Sequence, residues 1–127
     1  CADDGSLVLR VARFGVSILL MGDAGEAQER ALLQTDRSLA ASVVVLGRHG
    51  DATATSSDSL AAMRPRDVLI SAGPHPEGRH PDEDTLTRLT ARNVRLWRTD
   101  MQGTIRVELE AKPARWPDPG YRICVEP

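Results

Sequence analysis

Val16-Ser17-Ile18-Leu19-Leu20-Met21-Gly22-Asp23 is the stretch that decides the fold. Apolar residues fill both parities of this run, the mark of a strand covered on both faces rather than one with a side turned to water. Upstream, apolar residues alternate at Leu7, Leu9 and Val11 through Ser6 to Arg13, and Phe14-Gly15 makes a turn, so two strands enter as a hairpin. Downstream, Gly22-Asp23 ends the second strand. A helix is expected over residues 25 to 34, with Glu26 near its amino end and Ala27, Ala31 and Leu32 at helical spacing.

The same alternation of strand and helix continues along the chain. Val43-Val44-Val45-Leu46 is β-branched and too short for a helix, hence another central strand. Residues 50 to 58 are small and polar, a loop leading into a short helix over 59 to 63 that Arg64-Pro65 stops. Val68-Leu69-Ile70 opens the next strand, and residues 73 to 80 form a loop shaped by two prolines and two glycines. In the helix that follows, Pro81 takes the first position and Asp82, Glu83 and Asp84 complement the dipole. Leu86 and Leu89 face inward, and Arg88 and Arg92 lie near its end. Residues 94 to 97 and 104 to 110 are strands joined by a turn over 100 to 103, and residues 111 to 127 are expected to be an irregular tail.

The order β-β-α-β-α-β-α-β-β specifies an α/β fold, a mixed sheet layered with helices, within a single domain over 1–127. Leu7, Leu9, Ile18, Leu20, Val44, Leu46, Leu69, Leu86, Leu89, Ile105 and Val107 are the inward positions of these patterns and are expected to share a core.

With 127 residues, 16 basic and 18 acidic, the net charge of -2 excludes a protein that holds nucleic acid by bulk electrostatics. Lys112 is the single lysine, so positive charge is carried by arginine, whose planar fork suits bidentate phosphate contact. High G+C coding bias is the plainer cause of that preference. Cys1 and Cys124 rule out a metal-binding cysteine pair near in sequence and leave one terminal disulfide open. The apolar run Ile18 to Met21 is far short of the roughly 20 residues a membrane helix needs, and a soluble piece is expected.

Asp23, His49 and His80 recur where the chain leaves a strand for a loop or helix, the edge at which α/β sheets bind ligands. Carboxylate and imidazole are zinc and manganese ligands. Taken singly, Asp23 reads first as a helix cap and the two histidines as solvated or structural loop residues, and the joint pattern is what points to a site. His75, between two prolines, is expected to be solvated.

The segments Gly5-Ser6-Leu7-Val8-Leu9, Leu20-Met21-Gly22-Asp23, Val45-Leu46-Gly47-Arg48-His49-Gly50, Val68-Leu69-Ile70-Ser71-Ala72-Gly73, His80-Pro81 and Thr99-Asp100 through Gly103-Thr104-Ile105 carry a resemblance. In their order and spacing the chain resembles the carboxyl-terminal half of the metallo-β-lactamase-like domain of the ComEC competence proteins, over about residues 4 to 110. The resemblance implies half of an αββα sandwich and a two-metal phosphodiesterase or nuclease site in a protein of DNA uptake. It implies that Asp23 is the bridging carboxylate, that His49 is the second histidine of a His-His-Gly-Ser motif, and that His80 is the histidine of a Gly-His-Pro-His loop. Asp23 and His49 are then also the catalytic residues.

Arg48 stands where that motif has its first histidine, Asp51 where it has serine, and Arg79 where the family has glycine before His80. Arg48 and Arg79 are candidates for phosphate binding. The HxHxDH motif that supplies most ligands in this superfamily is absent from the chain. A divalent metal, zinc or manganese, is therefore expected to bind weakly or not at all to this chain alone, and nuclease activity is expected to be absent. The expected partners are the missing amino-terminal half of the domain, DNA through the parent protein, and a second copy through an open sheet edge. The parent is expected to be a bacterial inner-membrane protein of which this is a soluble domain. The alternative function is a non-catalytic, degenerate interaction module of the same fold.

Overall fold

The computed structural model describes residues 5–74, 80–111 and 118–126. β1 (Leu9–Arg13) and β2 (Val16–Leu20) form an antiparallel hairpin with Leu9 opposite Leu20 and Arg13 opposite Val16. β3 (Val43–Val45), β4 (Asp67–Ile70) and β5 (Arg95–Arg98) then add in parallel, giving a five-stranded sheet in the order β1-β2-β3-β4-β5. The crossovers are α1 (Glu26–Leu33), α2 (Ser57–Met63) and α3 (Glu83–Thr90). Each step moves to the next strand in the same direction, so right-handed crossovers put all three helices on one face. There Leu19, Met21, Val44, Leu46, Val68 and Ile70 meet Leu60, Met63 and Leu89 in the main core.

The opposite face is covered by a second, two-stranded sheet, β6 (Thr104–Leu109) paired antiparallel with β7 (Tyr121–Glu126). Val107, Leu109, Tyr121 and Ile123 pack there on Val16, Ile18, Val43 and Leu69. The result is a mixed α/β fold, compatible with an α/β sandwich. No helix among the described residues is long and apolar enough to cross a membrane.

Buried Asp67 ties the two sheets together. It accepts hydrogen bonds from Arg95 (2.8 Å), the Trp97 indole (2.9 Å) and the Tyr121 hydroxyl. Burial works to raise its pKa, but the donors Arg95, Tyr121 and Trp97 together outweigh it and hold the carboxyl below its ordinary value. Burial and the Asp67 carboxylate both push the Tyr121 hydroxyl upward, so it stays a donor.

Several expectations need correction. Residues 121–126, assigned to an irregular tail, are strand β7. Residues 99–102 form a single helical turn, α4 (Thr99–Gln102), and the strands on either side of it do not pair, because β6 leaves for the second sheet. Of the eleven expected core residues only Val44, Leu46 and Leu89 are fully buried, while Leu7 is 70% and Leu9 46% exposed. In a run apolar on both faces, parity cannot tell which face the helices will cover. They cover Leu19 and Met21, leaving Ile18 to pack against the smaller second layer, and both Ile18 and Leu20 are half-buried. β1 is an edge strand exposed along its whole length. Cys124 lies on β7 as a free thiol, and Cys1 is outside the described residues.

Candidate metal centre

The carboxyl ends of β2, β3, β4 and β5 line up along one edge, and each releases a short turn. Two glycines let these turns touch. A Cβ on Gly47 would sit 2.4 Å from the Ala24 carbonyl oxygen, so only glycine allows the turn after β3 to rest on the turn after β2. The Arg48 amide completes that contact by donating to the Gly22 carbonyl at 3.1 Å. Gly50, at φ +80°, lies where a Cβ would be 2.8 Å from Pro81, bringing the same turn against His80-Pro81. The Asp82 amide donates to the Gly50 carbonyl at 2.9 Å.

Between these glycines Arg48 (φ 48°) and His49 (φ 56°) are both left-handed. Each costs on the order of 1–2 kcal/mol for a residue with a Cβ, strain of the kind that collects at functional sites. Its effect is to aim His49 across the edge. Facing a carbonyl, the His49 Nδ1 can only donate, to Ser71 at 2.6 Å, so in the neutral ring Nε2 is the nitrogen that carries the lone pair. The Ser71 segment is itself held by Thr99, whose hydroxyl accepts from the Ala72 amide (2.9 Å) and donates to the Ala72 carbonyl (2.8 Å).

His80 faces His49 with ring centres 6.5 Å apart and planes tilted by 49°. Its Nδ1 is buried and has no hydrogen-bond partner among the described residues. That is a cost unless something occupies the lone pair or a proton finds an acceptor. A zinc–nitrogen distance of about 2 Å puts an imidazole centre about 3 Å from its ion. Rings 6.5 Å apart are thus at the limit of sharing one ion.

Asp23 lies in the turn after β2 with its carboxylate exposed, and it does not cap the helix. Gly25 is the N-cap of α1, and the Gln28 side chain accepts from its amide at 3.0 Å. The Asp23 amide donates to Ser6 Oγ at 2.8 Å, which shapes the turn. Arg48 reaches back over it: its Nε donates to the Asp23 carbonyl at 3.2 Å, and its guanidinium lies where a Gly25 Cβ would be 3.0 Å away. A fixed positive charge therefore sits beside Asp23. Among the described residues no three His, Cys, Asp or Glu side chains are grouped closely enough to hold a metal ion. His49 and His80 are brought together, and Asp23 does not join them in a three-donor set. Arg79 and His75 lie outside the described residues.

Asp51 follows the His49 turn. Its Oδ1 accepts from the Thr53 amide (2.8 Å) and hydroxyl (2.5 Å). These bonds, helped by the charges of His80 and Arg48, hold its carboxyl below the ordinary value against burial. Asp100 in α4 is held low by its bidentate partner Arg98 at the end of β5, at 3.1 and 2.6 Å. Sequence reasoning gave no role to Ser71, whose carbonyl receives His49, or to Thr99, which holds the Ala72 backbone.

No family model matches the chain. Over 104 residues it is 31% identical to ComE operon protein 3 of Bacillus subtilis (strain 168), an alignment covering 82% of this chain and 13% of that protein. Over 109 residues it is 35% identical to the competence protein ComA of Neisseria gonorrhoeae, covering 84% of this chain and 16% of that protein. These relatives indicate a competence-related family. A third relative, recombination protein 2 of Haemophilus influenzae, is 31% identical over 104 residues, 78% of this chain and 13% of the relative. The chain thus spans only 13% to 16% of the length of these competence-related relatives.

Proposed function

We propose that this chain is the distal half of a metallo-β-lactamase-fold phosphodiesterase or nuclease domain that handles DNA during uptake, inactive until an amino-terminal half completes its ligand set. The paired imidazoles carry this proposal: His49, anchored through Nδ1 on the Ser71 carbonyl, stands with its ring centre 6.5 Å from that of His80, whose buried Nδ1 has no hydrogen-bond partner among the described residues. Structural histidines rarely spend a strained backbone and an orphaned buried nitrogen on facing each other. The competence names of the relatives supply the DNA-uptake context.

His49 and His80 are the donors this chain contributes, and Asp23 is the carboxylate that would join them. A bound pair of divalent ions, zinc or manganese, would supply an acidified water and a clamp for phosphodiester charge. Arg48 and Arg79 are suited to hold phosphate oxygens, a role for which arginine's fork is better shaped than lysine. The parent would be a membrane protein with this domain outside the bilayer.

One observation favours the second reading, a non-catalytic module. The Arg48 guanidinium lies against the Asp23 turn, and like charge there weakens cation binding. Cleavage of single-stranded DNA by the full-length parent protein and by residues 1–127, each with Asp23→Ala and His49→Ala variants, separates the two. Metal-dependent cleavage by the parent that both variants abolish, with none from the short chain, is expected. An inert parent hands the case to the module.

A further inference from the structure

The loop that follows His49 is held from both sides by ionisable side chains that contact no part of the histidine pair. From α1, the Glu29 carboxylate, 2% exposed, accepts from the Thr55 amide, the Ser56 amide (2.9 Å) and the Ser59 hydroxyl (2.6 Å). From α3, the Arg88 guanidinium donates to the carbonyls of Ala52 (3.0 Å), Ala54 (3.1 Å) and Thr55 (3.2 Å). It also donates to the Thr85 hydroxyl at 3.0 Å, which in turn donates to the Asp51 carbonyl at 3.0 Å. Loop amides thus go to a buried anion and loop carbonyls to a cation, so nearly all polar backbone of residues 51–56 is spoken for.

Arg88, Thr85 and the Asp82 amide all belong to α3 or its cap, the element that begins just after His80-Pro81. Their partners are the residues just after His49. The Arg88 side of the clamp therefore links the segments that carry the two candidate ligands. We infer that Arg88 and Glu29 are positioning residues that set His49 against His80, so that divalent-ion affinity at this pair depends on a clamp that never touches the ion. This rests on the metal-binding role proposed above.

Arg88→Lys tests it. The ammonium keeps the charge but lacks the planar fork that reaches three carbonyls and a hydroxyl together. Zinc affinity is measured by competition with a chromophoric chelator in the full-length protein, with His49→Ala and His80→Ala defining the contribution of the pair. Asp67→Asn, a destabilising change at the opposite end of β4, controls for global stability. The expected result is a loss of tenfold or more for Arg88→Lys and less than twofold for Asp67→Asn. Equal losses, or none for Arg88→Lys, overturn the inference.

Imidazole NMR of metal-free residues 1–127 reads the positioning without metal. Arg88→Lys should shift the His49 ring resonances and speed exchange of the Asp82 amide, while His49→Ala should leave that amide protected. Unchanged His49 resonances in Arg88→Lys overturn the inference whatever the zinc result. Zinc binding in the parent that ignores both His49→Ala and His80→Ala removes the metal role itself, and with it this inference.

Discussion

Gly47→Ala is the sharpest perturbation of the edge. The added Cβ would meet the Ala24 carbonyl oxygen at 2.4 Å, whereas a carbon–oxygen contact settles near about 3.3 Å. The turns after β2 and β3 would have to part by roughly 1 Å, and the neighbouring atoms are backbone and Met21 Cβ, with little freedom to yield. Overpacking of this kind costs about 1–3 kcal/mol. Straining the 3.1 Å Arg48 to Gly22 hydrogen bond adds a further ~0.5–1 kcal/mol. Alanine's lower unfolded-state entropy returns about 0.4–1 kcal/mol. A net loss of about 2 kcal/mol lowers the urea midpoint by roughly 1 M at an unchanged slope. Urea unfolding followed by circular dichroism measures it, with Gly73→Ala as control, since nothing lies within 4 Å of a Cβ there. If Gly47→Ala melts with wild type, the two turns are not in contact and the edge described above is wrong.

Tyr121→Phe removes one of three donors to a buried carboxylate and should cost about 1–3 kcal/mol in the same assay; a loss below 0.5 kcal/mol, within ordinary scatter, would mean that Asp67 does not bind the second sheet. Because Asp67 is held below the ordinary carboxylate value, its contribution is complete above the unfolded value of about 4 and is lost as pH falls through the folded one. Stability should therefore be flat from pH 7 to 5 and decline below about pH 4, less steeply in Asp67→Asn; an equal slope in both proteins contradicts the assignment. On the exposed edge strand β1, Val11 is 49% and Leu9 46% open, so Val11→Lys should lower any concentration-dependent mass seen by sedimentation equilibrium. A mass that does not respond to Val11→Lys places the association elsewhere.

The parallel core was legible because Val16 to Met21 and Val43 to Leu46 are apolar on both faces, which only a covered sheet explains. The turns carrying Asp23 and His49 were legible for the same reason, since each follows directly on a buried run, whereas His80 was placed by the helix that it precedes. β7 was not, since prolines at 117 and 119 and a short apolar patch gave no alternation strong enough to outweigh an irregular tail, and its strand character comes from pairing with β6. The exposure of Leu7 and Leu9 was hidden too, because alternation reports two unlike faces and not whether a partner covers the apolar one. At the candidate site, residue types pointed to His49 and His80. What holds them is written in backbone contacts of Gly47, Gly50, Ser71, Glu29 and Arg88, which have no sequence period. Sequence could not show that Arg48, a left-handed residue with a long side chain, folds back to the Asp23 carbonyl.

The most direct measurement is zinc-edge X-ray absorption on the zinc-loaded full-length protein, which counts imidazole ligands by their multiple scattering. His49→Ala and His80→Ala should each remove one imidazole from the average coordination shell while bound zinc falls. Zinc bound at full stoichiometry with an unchanged imidazole count in both variants would contradict a metal site built on this pair.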